Sequence, residues 1–304
     1  MIPQEKYNEI KKIFPLNAVE LIVRNHQDEI LILKRENEPA KDQWWIPGGR
    51  VLMTEARLDA AKRLLKNECN VLSDDFRKLG MFEYTVKNKS ENYYQHIISS
   101  VYEVKITASN ILLDSQSSEY RWVHISEWQK YMQHDFLKEM MWFSSENSSA
   151  SFFEKEFSAP DKKLINQKLY SVILKSLAIP CVDILVRNFK KEILLVKRKN
   201  EPAKDKWWVP GGRVWFGEKR TETAKRKLKE ECSLEGENYL HTGTYEFVYN
   251  INGQKIHNIS TLYEVTVSDK KVVLDEQSSD YRWCSPQEWL KQPLDKFIIE
   301  VVNK

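Results

Sequence analysis

One eighteen-residue stretch occurs twice in this chain, almost unchanged. Residues 34–51 read KRENEPAKDQWWIPGGRV and residues 197–214 read KRKNEPAKDKWWVPGGRV; they differ only at Glu36/Lys199, Gln43/Lys206 and Ile46/Val209. The two lie 163 positions apart, a spacing that also relates Glu20 to Asp183 and Cys69 to Cys232. Later in each copy DSQSSEYRW (114–122) matches DEQSSDYRW (275–283), now 161 apart. Two residues have therefore been gained or lost in between, as loops permit. A period this long, present twice, indicates duplicated globular domains and not a solenoid, whose units run to roughly 20–50 residues. Across residues 143–163 serine and charge replace periodic apolar residues. The boundary is placed near 150–160, giving expected domains at 1–150 and 151–304. Symmetry suggests an intramolecular pseudo-dimer, with a homodimer as the alternative.

Within a copy the local patterns alternate between strand and helix. AVELIVRN and EILILKR flank the polar turn His26-Gln27-Asp28 and read as a hairpin, repeated by CVDILVRN and EILLVKR around Phe189-Lys190-Lys191. After each Pro-Gly-Gly, helical spacing links Leu58, Ala61, Leu64 and Leu65, and more weakly Thr221, Ala224 and Leu228. Further strands follow at GMFEYTV and IISSVYEVKI, or GTYEFVY and ISTLYEVTV. Each copy closes with a YRW strand and a short helix starting at Ser126 or Ser285. Mixed strands around one internal helix give an α+β class, a sandwich in two tandem copies.

Composition excludes several functions. With 41% apolar and 30% charged residues the chain reads as globular. No run approaches the roughly 18 apolar residues of a membrane helix, and MIPQEKYNEIKKIF lacks the apolar stretch of a signal peptide. A net charge of +3 is too small to argue for nucleic acid. Cys69, Cys181, Cys232 and Cys284 are widely spaced, without a zinc or redox pairing, and are expected to be reduced, buried thiols of a cytoplasmic protein.

The segments GRVLMTEARLDAAKRLLKNECNV, from Gly49, and GRVWFGEKRTETAKRKLKEECSL, from Gly212, resemble the box of the Nudix hydrolases, G-x5-E-x7-R-E-U-x-E-E-x-G-U. Gly49, Glu55, Arg63, Glu68 and Val71 match in copy one; Gly212, Glu218, Arg226, Glu230, Glu231 and Leu234 match in copy two. The resemblance implies an α/β/α sandwich with a mixed sheet and a box helix. Three glutamates on one face of such a helix make a hard oxygen site for magnesium. Here those positions hold Leu64, Asn67 and Glu68, or Lys227, Glu230 and Glu231, so neither helix supplies a multi-metal cluster.

A modified box of this kind, with KRxNxPA, W-x-x-PGGRV and D-x-Q-x-x-[DE]-YRW, is similar to that of the GDP-mannose mannosyl hydrolases. That resemblance implies one magnesium ion held by Glu68, Gly48 and Gln116 in copy one, and by Glu231, Gly211 and Gln277 in copy two. Glu230 is a further candidate ligand. Arg35, Arg50, Arg198 and Arg213 match positions that contact diphosphate and sugar, where a planar guanidinium pairs with phosphate oxygens. Arg63 and Arg226 match the box arginine, which organises glutamates or stabilises the leaving group. Glu20 and Asp183 stand where an acid lies near the sugar. Trp44, Trp45, Trp207 and Trp208 suit either base stacking or core packing.

One departure divides the readings. The family's histidine base after the glutamine is Ser117 here, and Ser278 in copy two; a hydroxyl does not accept a proton near neutral pH as imidazole does. His96 and His257, at matching sites before a strand, read as structural. Three functions follow: a magnesium-dependent hydrolase releasing a nucleoside diphosphate and a free sugar; ordinary cleavage at phosphorus, centred on Glu230 and Glu231; or a nucleotide-sugar-binding protein that has lost its base. Copy two, with more acids, is favoured as the active copy. Lys227, taken as a surface i,i+4 partner of Glu231 worth about 0.3–0.5 kcal/mol, is too weak to exclude a divalent ion.

Overall fold

The computed structural model describes residues 2–107, 110–145, 165–268 and 271–304. The chain divides into two compact units, Met1–Ala178 and Ile179–Lys304. The boundary expected near 150–160 lies outside the described residues.

The first copy runs α1 (Gln4–Ile10), β1 (Leu16–Arg24), β2 (Ile30–Arg35), β3 (Trp44–Trp45), β4 (Gly48–Arg50), α2 (Arg57–Cys69), β5 (Phe76–Asn88), β6 (Tyr93–Lys105), β7 (Ser117–Val123), a 3-10 turn (Trp128–Lys130) and α3 (Asp135–Ser145). The second repeats this as α4 (Gln167–Ser176), β8 (Ala178–Arg187), β9 (Ile193–Arg198), β10 (Trp207–Trp208), β11 (Gly211–Arg213), α5 (Arg220–Cys232), β12 (Gly236–Ile251), β13 (Gln254–Val267), β14 (Ser278–Cys284), α6 (Pro286–Trp289) and α7 (Lys296–Val302). The expected α+β class holds in both.

The nine residues of β1, LNAVELIVR, are all buried. Such a run suits a central strand covered on both faces, and β1 lies parallel to β6 from Leu16↔Ile97 to Arg24↔Lys105. The expected hairpin is only partly realised. Its turn forms, but β1 and β2 pair at Arg24↔Ile30 alone. From Ala18 to Glu20 β1 pairs instead with β4, while β2 is taken up by β3 and β7. The second copy diverges likewise: β8 meets β9 at Arg187↔Ile193 and β11 at Gly211↔Asp183. This splaying brings the Pro-Gly-Gly turn against the middle of β1 or β8, where each copy has an acid.

The box helices form, with a rotated face. Arg57, Ala60, Ala61, Leu64, Leu65, Glu68 and Cys69 of α2 are buried, whereas Leu58 is 41% exposed. In α5 Thr223, not Thr221, shares the inner face with Ala224 and Leu228. Buried Arg57 and Arg220 make this possible by donating to Ser100 Oγ (3.3 Å) and Thr261 Oγ1 (3.1 Å) on the neighbouring sheet strands. Each helix ends one residue past its last acid, with Asn70 or Ser233 in the left-handed conformation. The two closing segments differ: Ser285 and Glu288 form a capping box that starts α6, while the first copy has only the 3-10 turn there.

Trp45 and Trp208 are core residues; Trp208 packs in the second unit with Leu185, Leu195, Leu262, Trp289 and Phe297. All four cysteines are free, but only Cys69 and Cys232 are buried; Cys181 and Cys284 are partly exposed, against expectation. Among the described residues no helix is long and apolar enough to cross a membrane.

Candidate functional site

In the first unit Glu20 lies opposite Gly48 across the β1/β4 pair. A Cβ at position 48 would fall 2.1 Å from Glu20 Oε2, so only glycine lets the acid lie against this strand. Glu68, on the last turn of α2, accepts the Gly48 N–H at Oε2 (3.2 Å). Arg35 ends β2 and donates from Nε to the Pro39 carbonyl (2.9 Å), with its charge acting on both acids. Gln116, just before β7, donates its backbone and side-chain N–H groups to the two oxygens of Asp114, at 2.9 Å each. That leaves Oε1 as the amide's acceptor. Glu20, Arg35, Gly48, Arg50 and Gln116 all line one cavity of about 180 Å³, walled by Tyr7, Trp45 and Tyr84. Its volume is below the roughly 300–1,000 Å³ of a drug-sized ligand's pocket, which suits one end of a larger molecule.

Burial dominates the electrostatics of this unit. Burial pushes the Glu20 carboxyl up to about 8, against the Tyr84 hydrogen bond and Arg35. Burial likewise lifts Glu68 to about 8, opposed by the Gly48 N–H and reinforced by Asp114 and Glu20. Tyr84 donates to Glu20 Oε1 at 2.8 Å. Glu20 Oε2 makes no hydrogen bond of ordinary geometry, although the Trp45 indole lies close enough to act on the carboxyl; a buried atom so weakly paired carries a desolvation penalty. A divalent cation held by Glu68, the Gly48 carbonyl and the Gln116 amide oxygen would fit this all-oxygen donor set. Among the described residues no three His, Cys, Asp or Glu side chains converge as a metal site.

The second unit repeats the frame with different partners. Asp183 faces Gly211, and Glu231 Oε2 accepts the Gly211 N–H at 3.2 Å. Gln277 is held by Asp275 as Gln116 is by Asp114. Phe247, at the position of Tyr84, has no hydroxyl; the shorter Asp183 is instead bound by Ser260 Oγ. Burial raises Asp183 to about 6, opposed by Ser260 and Arg198. The larger difference is Lys227. Its Nζ sits 2.7 Å from Glu231 Oε1 and 3.2 Å from Glu230 Oε2, and its side chain is 11% exposed against 8% for Glu231. It is therefore not the surface partner expected. Burial pulls the ammonium's pKa down, but the two carboxylates outweigh this and hold it above its usual value. Breaking a buried pair by removing one partner costs about 3–5 kcal/mol, an order more than the surface estimate. Glu231 is raised by burial and drawn back by Lys227.

The remaining candidates are distributed unevenly. Arg63 grips Glu55 through Nε (2.6 Å) and Nη2 (2.8 Å) and donates to the Arg50 carbonyl (3.0 Å). Arg226 does the same with Glu218 and the Arg213 carbonyl, lies 3.7 Å over the Trp215 ring and also binds Glu230. Both arginines thus brace the glycine-rich strand. Arg50 lies over the Tyr7 ring at 4.3 Å. Arg198 repeats the Arg35 contact, to Pro202 (2.8 Å). Ser117 and Ser278 begin β7 and β14 opposite Arg35 and Arg198. His96 and His257 are buried against Glu83 (2.9 Å) and Glu246 (3.1 Å), as structural histidines would be.

The sequence assigns no role to Tyr84, Asp114 or Asp275, although both aspartates open the quoted D-x-Q motif. The Asp–x–Gln spacing present in both copies was the available signal for the aspartates. Nothing local marks Tyr84, 64 positions from Glu20.

A NUDIX domain model matches residues 15–142 and 178–304. The chain is 32% identical over 122 residues to the "Low-salt glycan biosynthesis protein Agl8" of Haloferax volcanii, covering 40% of this chain and 78% of that protein. It is 30% identical over 104 residues to a proposed 8-oxo-dGTP diphosphatase of Bacillus subtilis, covering 34% and 64%. A solved MutT protein from Methanosarcina mazei aligns over 45% of this chain and 97% of its own, at 20% identity and a TM-score of 0.39.

Proposed function

The chain belongs to the NUDIX family, with one NUDIX domain in each half, and from that premise we propose that its first unit is a magnesium-dependent hydrolase of a nucleotide sugar, releasing a nucleoside diphosphate and a free sugar. The observation that carries this reading is the cavity that Glu20, Gly48 and Gln116 share beside Glu68. One buried carboxylate, a backbone carbonyl and an oriented amide suit a single metal better than a carboxylate cluster. The glycan-biosynthesis relative, a protein named for sugar chemistry, supports it.

In this reading Glu68, Gly48 and Gln116 hold the ion, and Asp114 keeps the amide oxygen of Gln116 available to it. The bound ion supplies positive charge to the diphosphate as it leaves. Arg35 and Arg50 pair with phosphate oxygens and stabilise the charge that develops on them. Glu20 faces the sugar end. Tyr84 and Gly48 hold that carboxyl in the cavity, and Trp45 and Tyr84 exclude water from one wall. Water adds to the anomeric carbon as its bond to the diphosphate oxygen breaks, the bond's electron pair leaving on the diphosphate and the water's spare proton passing to solvent. Arg63 takes no part in this beyond fixing the Arg50 carbonyl.

The test is hydrolysis of a panel of nucleotide sugars, nucleoside triphosphates and ADP-ribose in oxygen-18 water with magnesium. Label in a released sugar is expected. Label in phosphate alone would favour cleavage at phosphorus, the chemistry that the name of the Bacillus subtilis relative carries. Binding without turnover would leave a nucleotide-sugar-binding protein.

A further inference from the structure

We propose that Lys227 fills the cation position of the second unit, so that the chain holds metal in its first unit alone. This rests on the metal-dependent reading of the first unit.

Lys227 replaces Leu64, one helical turn before the last box glutamate, and the two side chains take the same path. Leu64 Cδ2 would lie 2.9 Å from a Cβ on Gly49, and Lys227 Cε would lie 2.8 Å from a Cβ on Gly212. The stems therefore cover corresponding glycines, but only the lysine carries a charge beyond. Its ammonium ends at Glu231 Oε1 (2.7 Å), while Glu231 Oε2 takes the Gly211 N–H (3.2 Å). Both oxygens of the would-be ligand are thus engaged. Glu230 offers no second ligand, being bound by Lys227 (3.2 Å) and by Arg226 (3.2 Å).

The neighbouring acid has changed in step. In the first unit Glu20 Oε2 is buried without a hydrogen-bond partner. In the second, the shorter Asp183 is bound by Ser260, and the lysine places an ammonium against Glu231. In the second unit the box glutamate already contacts an ammonium; in the first, the corresponding helix position is the uncharged Leu64. Like charges at contact distance exclude each other strongly where solvent is scarce, so a divalent ion at Glu231 requires the ammonium to leave.

Counting bound manganese by loss of its free electron-paramagnetic-resonance signal, on the full chain, tests this directly. The wild type is expected to bind one ion per chain, Glu68→Gln none and Glu231→Gln still one. Lys227→Leu, which restores the residue of the first unit, is expected to bind two. Should that variant fail to fold, the contrast between Glu68→Gln and Glu231→Gln decides alone. Two ions in the wild type, or one that Glu231→Gln removes, would overturn the inference while leaving metal dependence intact. No ion in the wild type would overturn both.

Discussion

Tyr84 Oη donates to Glu20 Oε1 at 2.8 Å, and in the second copy the same job passes to a different residue, Ser260, on the adjacent strand. Glutamate is one methylene longer than aspartate, so its carboxyl reaches β5, whereas that of Asp183 stops at β13. The hydroxyl left over in the first unit, Ser99 Oγ, is buried without a partner.

Tyr84→Phe is therefore expected to lower stability by about 1–3 kcal/mol, the range for losing a hydrogen bond to a buried acid. Phe247 already occupies the equivalent place, so the ring itself is tolerated. Adding Glu20→Asp lets Ser99 take over, and the pair should recover about 1 kcal/mol relative to additivity. A denaturant double-mutant cycle measures this; strict additivity would separate the two residues energetically.

The pH dependence has a definite sign. Glu20 titrates at about 8 in the folded chain against 4.5 for the free carboxyl, and Asp183 at about 6 against 3.8. Carboxyls raised on folding contribute stability that is complete below their unfolded values and is lost as pH rises through the folded ones. Without magnesium, Tm is expected to fall from pH 5 to pH 8, and Glu20→Gln should flatten the slope. Differential scanning calorimetry across that range would expose a rise instead, which this account does not permit.

In the proposed metal site of the first unit, Asp114 would act on the ion through its two hydrogen bonds to Gln116. In Asp114→Asn the partner can donate as well as accept, and the glutamine amide loses its fixed orientation. Manganese affinity should weaken about 10–100-fold, the usual effect of removing a group that orients a ligand. Titration calorimetry reads this directly, and an unchanged affinity would remove Gln116 from the ligand set.

Arg63 braces the strand through Glu55, so Arg63→Ala and Glu55→Gln should reduce turnover to a similar extent and lower Tm together. If Arg63 instead touched the leaving group, its loss would cost about 10²–10³ in kcat with Glu55→Gln nearly silent. Steady-state kinetics on the two variants distinguish these.

Much of this protein is written in local sequence. The duplication, the α+β class and the two box helices follow from repeats and periodicity, because secondary structure answers to near neighbours. The motifs single out Gly48, Glu68 and Gln116, and the fold sets Gly48 against Glu68 and lines one cavity with Gly48 and Gln116. Tertiary structure decided the rest. Whether Lys227 is a solvated partner or an internal cation depends on burial, and burial is set by what packs over α5, not by spacing along it. The acid that faces Gly48 finds its donor on a strand more than sixty positions away. The hairpin read from its turn exists only at its base, because further along β1 is paired with β4 and β6 instead of β2. Charge, reach and solvent access are properties of three-dimensional neighbours, and for that reason two copies with nearly the same motif have unequal sites.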